Sequence, residues 1–557
     1  DQPRSRGLGD VYKRQTQNSP TDDIPTLNAG ASRTSTKSEK TGYRIASVFG
    51  RVNYNYQMKY LLSLVARYDG ISRLKDNRWG FFPGVSVGWN VTEEDFWKES
   101  KISEVISNIK PRLSYGVNGN VNGIGNFDIY GIYKQIGAGN YDGATAYYNS
   151  SLINTGLRWE QSRSFEAGLD LGFFNNRLSF IFDYYNRTTD DLLTDVNLPA
   201  YTGFSSMKTN LGKLRNSGFE MEVRANILSN AKGFNWEVSA NLTSVSNKVL
   251  KLPTSDKPFN QIDGYEVAAG LYNPETGETP TKWIGGYREG GKLGDMVGYV
   301  QNHIFRDWND VKANANMVID EVANLYGPGM ANEINPQTGV TYAESNGWKP
   351  IEPGDVCWED INKDGKINSL DRAVVGNIFP KVTGGFSTTL SYKNWSLYAR
   401  FDYALGHTIY NDLKARSLGQ YQGQFNIIDK VHDTWSETNP DTDLPVFTYA
   451  DQLNKKNITR SNNGNTAVDN NSSRFYEKGD YLALREITLS YSLPKKWIGK
   501  AGMQDASVYV TGQNLFYITG YDGVSPEPAV STVYGRGIDN GRYPTPRTLL
   551  FGLSVTF

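Results

Sequence analysis

Apolar and polar residues alternate with a period of two along much of this chain, most cleanly at its end. Between Thr548 and Phe557, the side chains of Leu549, Phe551, Leu553, Val555 and Phe557 share one side. Thr548, Gly552, Ser554 and Thr556 share the other, with Leu550 the one apolar exception. Successive side chains of a strand point to opposite faces, so this pattern predicts a strand with one apolar and one polar face. It recurs at Phe219, Met221, Val223 and Ala225 against Glu220, Glu222 and Arg224. Two more copies are Trp236, Val238, Ala240 and Leu242 against Glu237, Ser239, Asn241 and Thr243, and Leu397, Ala399, Phe401 and Tyr403 against Ser396, Tyr398, Arg400 and Asp402.

Extending this reading predicts strands near 43–56, 57–70, 80–92, 108–118, 162–175, 176–189, 209–227, 232–247, 380–393, 394–406, 476–493, 505–517 and 547–557. The connections then alternate in length. Short ones fall near Tyr56-Gln57, Phe174 to Asn176, Asn230 to Lys232 and Lys393-Asn394, and moderate ones at 93–107 and 494–504. Between them come 119–161, 190–208, 248–379, 407–475 and 518–546, and only 71–79 is brief. Short turns on one rim and long loops on the other are the habit of outer-membrane barrels. A soluble sandwich explains the alternation, with its polar face in water, but has no reason to keep that parity. The last strand then runs toward the short-turn, periplasmic rim.

Composition agrees with one large all-β domain. Aromatics reach 13% with 35 Tyr, while no stretch approaches the ~18–20 apolar residues of a membrane helix. The net charge of -1 argues against a nucleic-acid partner, whose phosphates need a basic surface. A single cysteine, Cys357, excludes an internal disulfide, and His303, His407 and His432 have no ligand spacing. No pair of carboxylates is singled out for catalysis, and Glu220 and Glu222 read as lumen lining, so no enzyme is expected.

One local motif carries chemistry. Asp360-Ile361-Asn362-Lys363-Asp364-Gly365-Lys366-Ile367-Asn368-Ser369-Leu370-Asp371 has oxygen donors at positions 1, 3, 5, 9 and 12 of a calcium loop and Gly at position 6. Asp360, Asn362 and Asp364 would ligate through side chains and Lys366 through its backbone carbonyl. Asn368 would act directly or through water, and Asp371 would close the shell. Asp in the twelfth place suits a dockerin-like loop better than an EF-hand, and Pro353-Gly354 stands where an entering helix belongs. The alternative is an Asx-rich turn without an ion. Any Ca2+ here is read as structural. The aromatics Trp79, Phe81, Phe82 and Trp89 are expected in the barrel girdle or in loop packing, with sugar stacking as the alternative. Tyr130, Tyr133, Tyr141, Tyr147 and Tyr148 crowd one loop and could face a ligand.

Residues 1–15, with Ser5-Arg6-Gly7-Leu8-Gly9-Asp10-Val11-Tyr12-Lys13-Arg14-Gln15, resemble a translated sequencing-library adapter, and 16–42 read as a loop remnant. They contain no apolar core of a signal peptide. The expected domain is therefore 43–557.

Several segments resemble the C-terminal half of SusC/RagA-type TonB-dependent transporters: Gly80 to Trp89, Leu157 to Ser162, Gly479 to Tyr491, Val508 to Phe516, and Tyr543 to Phe557. The resemblance implies an all-β, antiparallel transmembrane β-barrel in the bacterial outer membrane. It further implies import of oligosaccharides or peptides, a SusD-like surface lipoprotein, energy from TonB-ExbB-ExbD, and contact with outer-membrane lipid. Barrels of this kind have about 22 strands, so thirteen would leave roughly nine upstream, together with the plug. The expected barrel is thus incomplete and the fragment alone would not transport. The competing readings are a passive porin or siderophore-receptor barrel, and a calcium-dependent surface carbohydrate-binding or adhesive β-protein.

Overall fold

The computed structural model describes residues 41–557 except 132, 142–143, 256, 421–426, 449–453, 461–470, 500–501, 528–536 and 542. Of residues 1–40 it describes only the pairing of Thr16–Gln17 with Ser32–Arg33. The adapter-like stretch and most of the loop remnant therefore lie outside the described residues.

Thirteen strands form one sheet. They are β1 (Ile45–Tyr56), β2 (Tyr60–Ile71), β3 (Trp79–Trp89), β4 (Ile106–Asn120), β5 (Glu160–Phe173), β6 (Leu178–Asn197) and β7 (Ser206–Ala231). The sheet continues with β8 (Phe234–Lys251), β9 (Val382–Tyr392), β10 (Trp395–Leu405), β11 (Tyr481–Ser492), β12 (Asp505–Thr519) and β13 (Thr548–Thr556). Each pairs with its chain neighbour, always antiparallel, so the sheet is a simple meander. All thirteen predicted strands are present, in the predicted order. Within this sheet β1 and β13 each have one partner.

The short turns take left-handed backbone at Gln57 and Met58, Asn175 and Asn176, and Lys232 and Gly233. Such turns match the twist of the flanking strands. Two boundaries differ from expectation. β6 and β7 run on to Asn197 and back from Ser206, leaving 198–205 as the connection where 190–208 was expected. The ladder continues past an irregularity at Thr189/Leu192, where Asp191 has φ of 57°, so the hairpin extends further than the alternation does. The expected strand 476–493 is split: Tyr476–Lys478 pairs with Thr408–Asn411, and only β11 joins the sheet. The break falls at Gly479, where any Cβ would stand 2.3 Å from His407 Nε2.

Register sorts the side chains into two faces. Outward lie Tyr60, Leu62, Leu64, Ala66 and Tyr68 of β2 opposite Trp89, Val87, Val85, Pro83 and Phe81 of β3. The outward row continues through Leu113, Ala167, Phe182, Met221, Leu242, Phe401, Leu489 and Phe551. Aromatics bracket this band. At one end stand Trp89 with the Tyr56–Tyr60 pair, Phe234 stacked on Tyr392 at 4.1 Å, and Trp395 beside Tyr491. At the other, Trp79 lies flat on Tyr68 at 5.0 Å. Trp79 and Trp89 end the eleven-residue β3; its ten steps of ~3.3 Å, tilted by ~40–45°, give a height of about 25 Å. That is the apolar band of an outer-membrane barrel. No described helix is long and apolar enough to cross a membrane.

The long connections form a dome over one rim, with cores of their own. Met296, Tyr410, Leu418, Ile458, Phe475 and Ile538 come from three different loops and are all buried together. Short strands join those loops: Asp295–Tyr299 pairs with both Arg372–Asn377 and Asn471–Ser472, and Thr408–Asn411 with both Tyr476–Lys478 and Ile538–Asp539.

Candidate functional site

The inward face of the sheet is polar and charged. Arg112 on β4 reaches across two strands, donating from Nε to Asp170 of β5 at 2.9 Å and from Nη2 to Asp183 of β6 at 2.8 Å. Gly168 lies beneath the guanidinium, where a Cβ would stand 2.7 Å from Arg112 Cζ and 2.4 Å from Asp183 Oδ1. Beside this group a cavity of about 430 Å³ is lined by Asn53, Ser63, Ser86, Lys110, Arg112 and Glu166. A second, of about 390 Å³, is lined by Ser239, Asn241, Ser387, Arg400, Asp402 and Arg485. There Arg485 grips Asp402 with both arms, one at 2.9 Å, and also holds Glu527 of the loop that follows β12. This lumen wall can bind polar solutes through paired donors and acceptors. Glu220 and Glu222 stand on the same face of β7, where Glu222 accepts from its own neighbour Arg224 at 2.5 Å.

The aromatics separate by face. Trp79, Phe81 and Trp89 belong to the outward band, whereas Phe82 points inward and packs edge-on against Trp159 at 5.3 Å in a buried cluster. Tyr130, Tyr133, Tyr147 and Tyr148 are exposed on the 121–159 connection, around the hairpin of Tyr133–Tyr141 with Ala144–Asn149. The side chain of Tyr141 lies outside the described residues.

The calcium-type loop sits in the dome. Asp360 Oδ2 accepts from Gly365 N–H at 2.9 Å, and Asp364 Oδ1 accepts from Lys366 N–H at 2.8 Å. Asp371 folds back over both halves, accepting from Ile361 N–H at 2.9 Å and Asn368 N–H at 2.8 Å. Gly365, with φ of 80°, makes the turn. The carbonyls of Gly365 and Ile367 accept from Ile319 and Glu321 N–H, which turns the Lys366 carbonyl between them to the opposite side. Asn362 is buried and donates to Thr279 Oγ1 and Asp364. Asn368 caps a single helical turn by accepting from Leu370 N–H.

The six oxygen-bearing positions lie on one short loop, with Asp360, Asp364 and Asp371 accepting from its own backbone. Burial pushes the Asp371 carboxyl up to about 6; N–H donors from Asn368 and Ile361 oppose this, while the Asp360 and Asp364 charges add to it. Burial likewise raises Asp360. Among the described residues no lysine, arginine or histidine forms a salt bridge with Asp360, Asp364 or Asp371. Their oxygens are turned to backbone N–H groups, and no three acidic, His or Cys side chains of the described residues stand close enough to hold an ion as placed.

Sequence reading missed what anchors this loop. Lys366–Ile367 pairs in parallel with Ile319–Asp320, and Asp320 is gripped by Arg460 from another loop, at 2.7 and 2.9 Å. That guanidinium also lies over Trp358 at 4.4 Å and Tyr299 at 5.0 Å. No sequence spacing links 320 to 460. Elsewhere, burial pushes the Cys357 thiol up to about 12, which disfavours its thiolate.

Comparison with known proteins adds four matches. The family model described as "TonB dependent receptor-like, beta-barrel" matches residues 4–293. TonB-dependent receptor P3 of Formosa agariphila is 31% identical over 95% of this chain and 47% of its own length. SusC of Bacteroides thetaiotaomicron, a TonB-dependent receptor, is 30% identical over 93% of the chain and 45% of its own length. Among solved structures the RagAB peptide transporter superposes with a TM-score of 0.66 at 23% identity, covering 96% of this chain and 50% of that one. The chain therefore spans about half the length of the curated relatives it matches.

Proposed function

Because the chain belongs to the TonB-dependent receptor-like β-barrel family and is an outer-membrane protein, we propose that it is the C-terminal barrel part of an importer of oligosaccharides or peptides. In this reading a SusD-like lipoprotein delivers substrate at the dome. TonB-ExbB-ExbD supplies energy through a plug and N-terminal part lying outside these 557 residues. The observation that carries it is the pairing of an apolar outer band with a charged inner wall on one continuous thirteen-stranded meander. Arg485 links that wall to the dome through Glu527, which sets the lumen charges beside the dome.

The residues act by binding and orienting. Side-chain groups along Ser239, Asn241 and Ser387 suit hydroxyl-rich or amide-rich solutes, and the charges of Arg400 and Asp402 suit peptide termini. Ca2+ held by Asp360, Asn362, Asp364, the Lys366 carbonyl, Asn368 and Asp371 would offset three clustered carboxylates and fix the loop. Its part would be structural.

The test is uptake. A strain lacking the full-length gene is complemented with wild-type or plug-deleted receptor, and labelled oligosaccharide and peptide pools are followed with and without a protonophore. Import that needs the plug and collapses with the proton gradient is expected. Uptake indifferent to both would sink the importer reading in favour of a passive porin, and uptake restricted to ferric chelates would favour a siderophore receptor.

A further inference from the structure

The outward face changes character at one place on the long-loop rim. Beyond the exposed aromatics Phe165, Tyr184 and Phe219, the outward positions of β5 to β8 turn cationic. Arg163 lies opposite Thr188, Thr188 opposite Arg215, and Arg215 opposite Lys248. One step further out, Lys213 lies opposite Lys251. Strand rise places these groups some 7–20 Å along the strands beyond the aromatics. With the barrel tilt this is headgroup depth, outside the acyl region.

Charge balance within the patch is poor. Asp190 bridges Arg163 at 3.0 Å and Lys213 at 2.7 Å. Among the described residues no carboxylate forms a salt bridge with Arg215, Lys248 or Lys251. Glu289 feels Lys251 at longer range but directs its carboxylate to Leu252 N–H and Asn260. Like charges directly opposite on antiparallel strands repel, and here two successive cross-strand pairs are both cation on cation. An anion seated beside Arg215 and Lys248 would relieve that repulsion. Three other outward rows end at this rim without charge, at Trp79 on β3, Leu405 on β10 and Ile518 on β12.

We infer that this patch binds the phosphate groups of an anionic glycolipid in the outer leaflet of the membrane. Arginine and lysine fit phosphate oxygens as forked and point donors, and each basic side chain at a membrane surface adds attraction to anionic headgroups. Asn186, Ser217 and Ser246, between the aromatics and the cations, offer neutral donors to the same headgroup. The inference rests on the outer-membrane placement of the barrel and not on import, so the two fail independently.

The test uses the full-length receptor, extracted in mild detergent and stripped of bound lipid. Its thermal unfolding is followed against phosphorylated lipid A, dephosphorylated lipid A and inorganic phosphate. Phosphorylated lipid A is expected to raise the midpoint. Arg215→Gln with Lys248→Gln is expected to weaken its apparent affinity roughly thirtyfold, and either change alone about fivefold. Arg187→Gln, on the lumen face of β6, should leave the affinity unchanged. Heat-modifiable migration in detergent gels verifies that each variant is a folded barrel, and the single variants carry the comparison should the double one not fold. Equal affinity for wild type and the folded variants overturns the inference. So does an equal shift with inorganic phosphate or with dephosphorylated lipid.

Discussion

Arg460 and Asp320 are 140 positions apart in the chain, yet they meet in a two-pronged ion pair with both side chains almost fully buried. Breaking such a pair leaves an uncompensated buried charge, at a cost of about 3–5 kcal/mol. Arg460→Met is therefore expected to loosen 295–377 while the barrel stays intact. Hydrogen exchange by mass spectrometry should show lost protection there, with β9 to β12 unchanged. Adding Asp320→Leu should restore most of it, because two apolar side chains no longer leave a lone charge. Wild-type protection in Arg460→Met would mean the pair is not what ties these loops together.

The calcium-type loop makes a pH prediction with a definite sign. Asp371 is raised in the folded loop to about 6 from the ordinary value of 3.8. A raised carboxyl favours the folded loop at low pH, and that contribution is lost as pH rises through about 6. Without divalent cations the loop should thus be less protected at pH 7.5 than at pH 5. Saturating Ca2+ should reverse the order, since binding needs the ionised ligands. Exchange rates for 360–372, corrected for intrinsic pH dependence, check both halves. Loss of the calcium effect in Asp360→Asn/Asp364→Asn would tie it to this loop, and its absence in wild type would leave an ion-free Asx turn.

Gly168 is required by a close approach. An alanine there would push against Arg112 and Asp183 in the lumen wall, and overpacking of this kind costs about 1–3 kcal/mol. Gly168→Ala should lower the temperature at which the barrel loses its compact form on detergent gels. Combining it with Arg112→Ala should cost less than the sum of the two changes. Strict additivity would argue that the glycine has another role.

Neighbouring positions on β8 test which face meets lipid. Leu242 faces out and Asn241 faces the lumen. An arginine on the lipid side near the midplane costs about 2–4 kcal/mol, whereas a lumen position tolerates it. Leu242→Arg should reduce assembled receptor in outer membranes and Asn241→Arg should not. Equal tolerance would contradict the assignment of faces.

The sheet was legible because its determinants are local. Alternation at Phe219 to Ala225 and the turn residues at Asn175-Asn176 specify strand and register over a few positions, and all thirteen strands follow from such signals. The β6–β7 hairpin was read short because its outer part, past Asp191, has adjacent apolar pairs such as Leu192-Leu193 and register irregularities in place of clean alternation. The dome was illegible for a different reason. Most of its strands are two to six residues long, and some have partners on other loops, as when Asn471–Ser472 pairs with Gly298–Tyr299. The calcium motif was readable as a spacing, but its tether to Arg460 depends on folding that no short window contains. The cationic rows were hidden similarly: Arg163, Arg215 and Lys248 are unremarkable until register sets them side by side.

The dome's core has an implication for assembly order. Its buried residues come from loops whose ends are set by β8 to β13, so none of these loops can complete its packing until those strands are paired. Closing such distant contacts early would carry the full entropy of the intervening chain; strand pairing in the membrane removes most of it first. The dome should therefore be the last part to mature. A protease added at the cell surface during insertion would find it cuttable for as long as the barrel is unfinished, and resistant afterwards, which makes the mouth of the protein a reporter of the state of its wall.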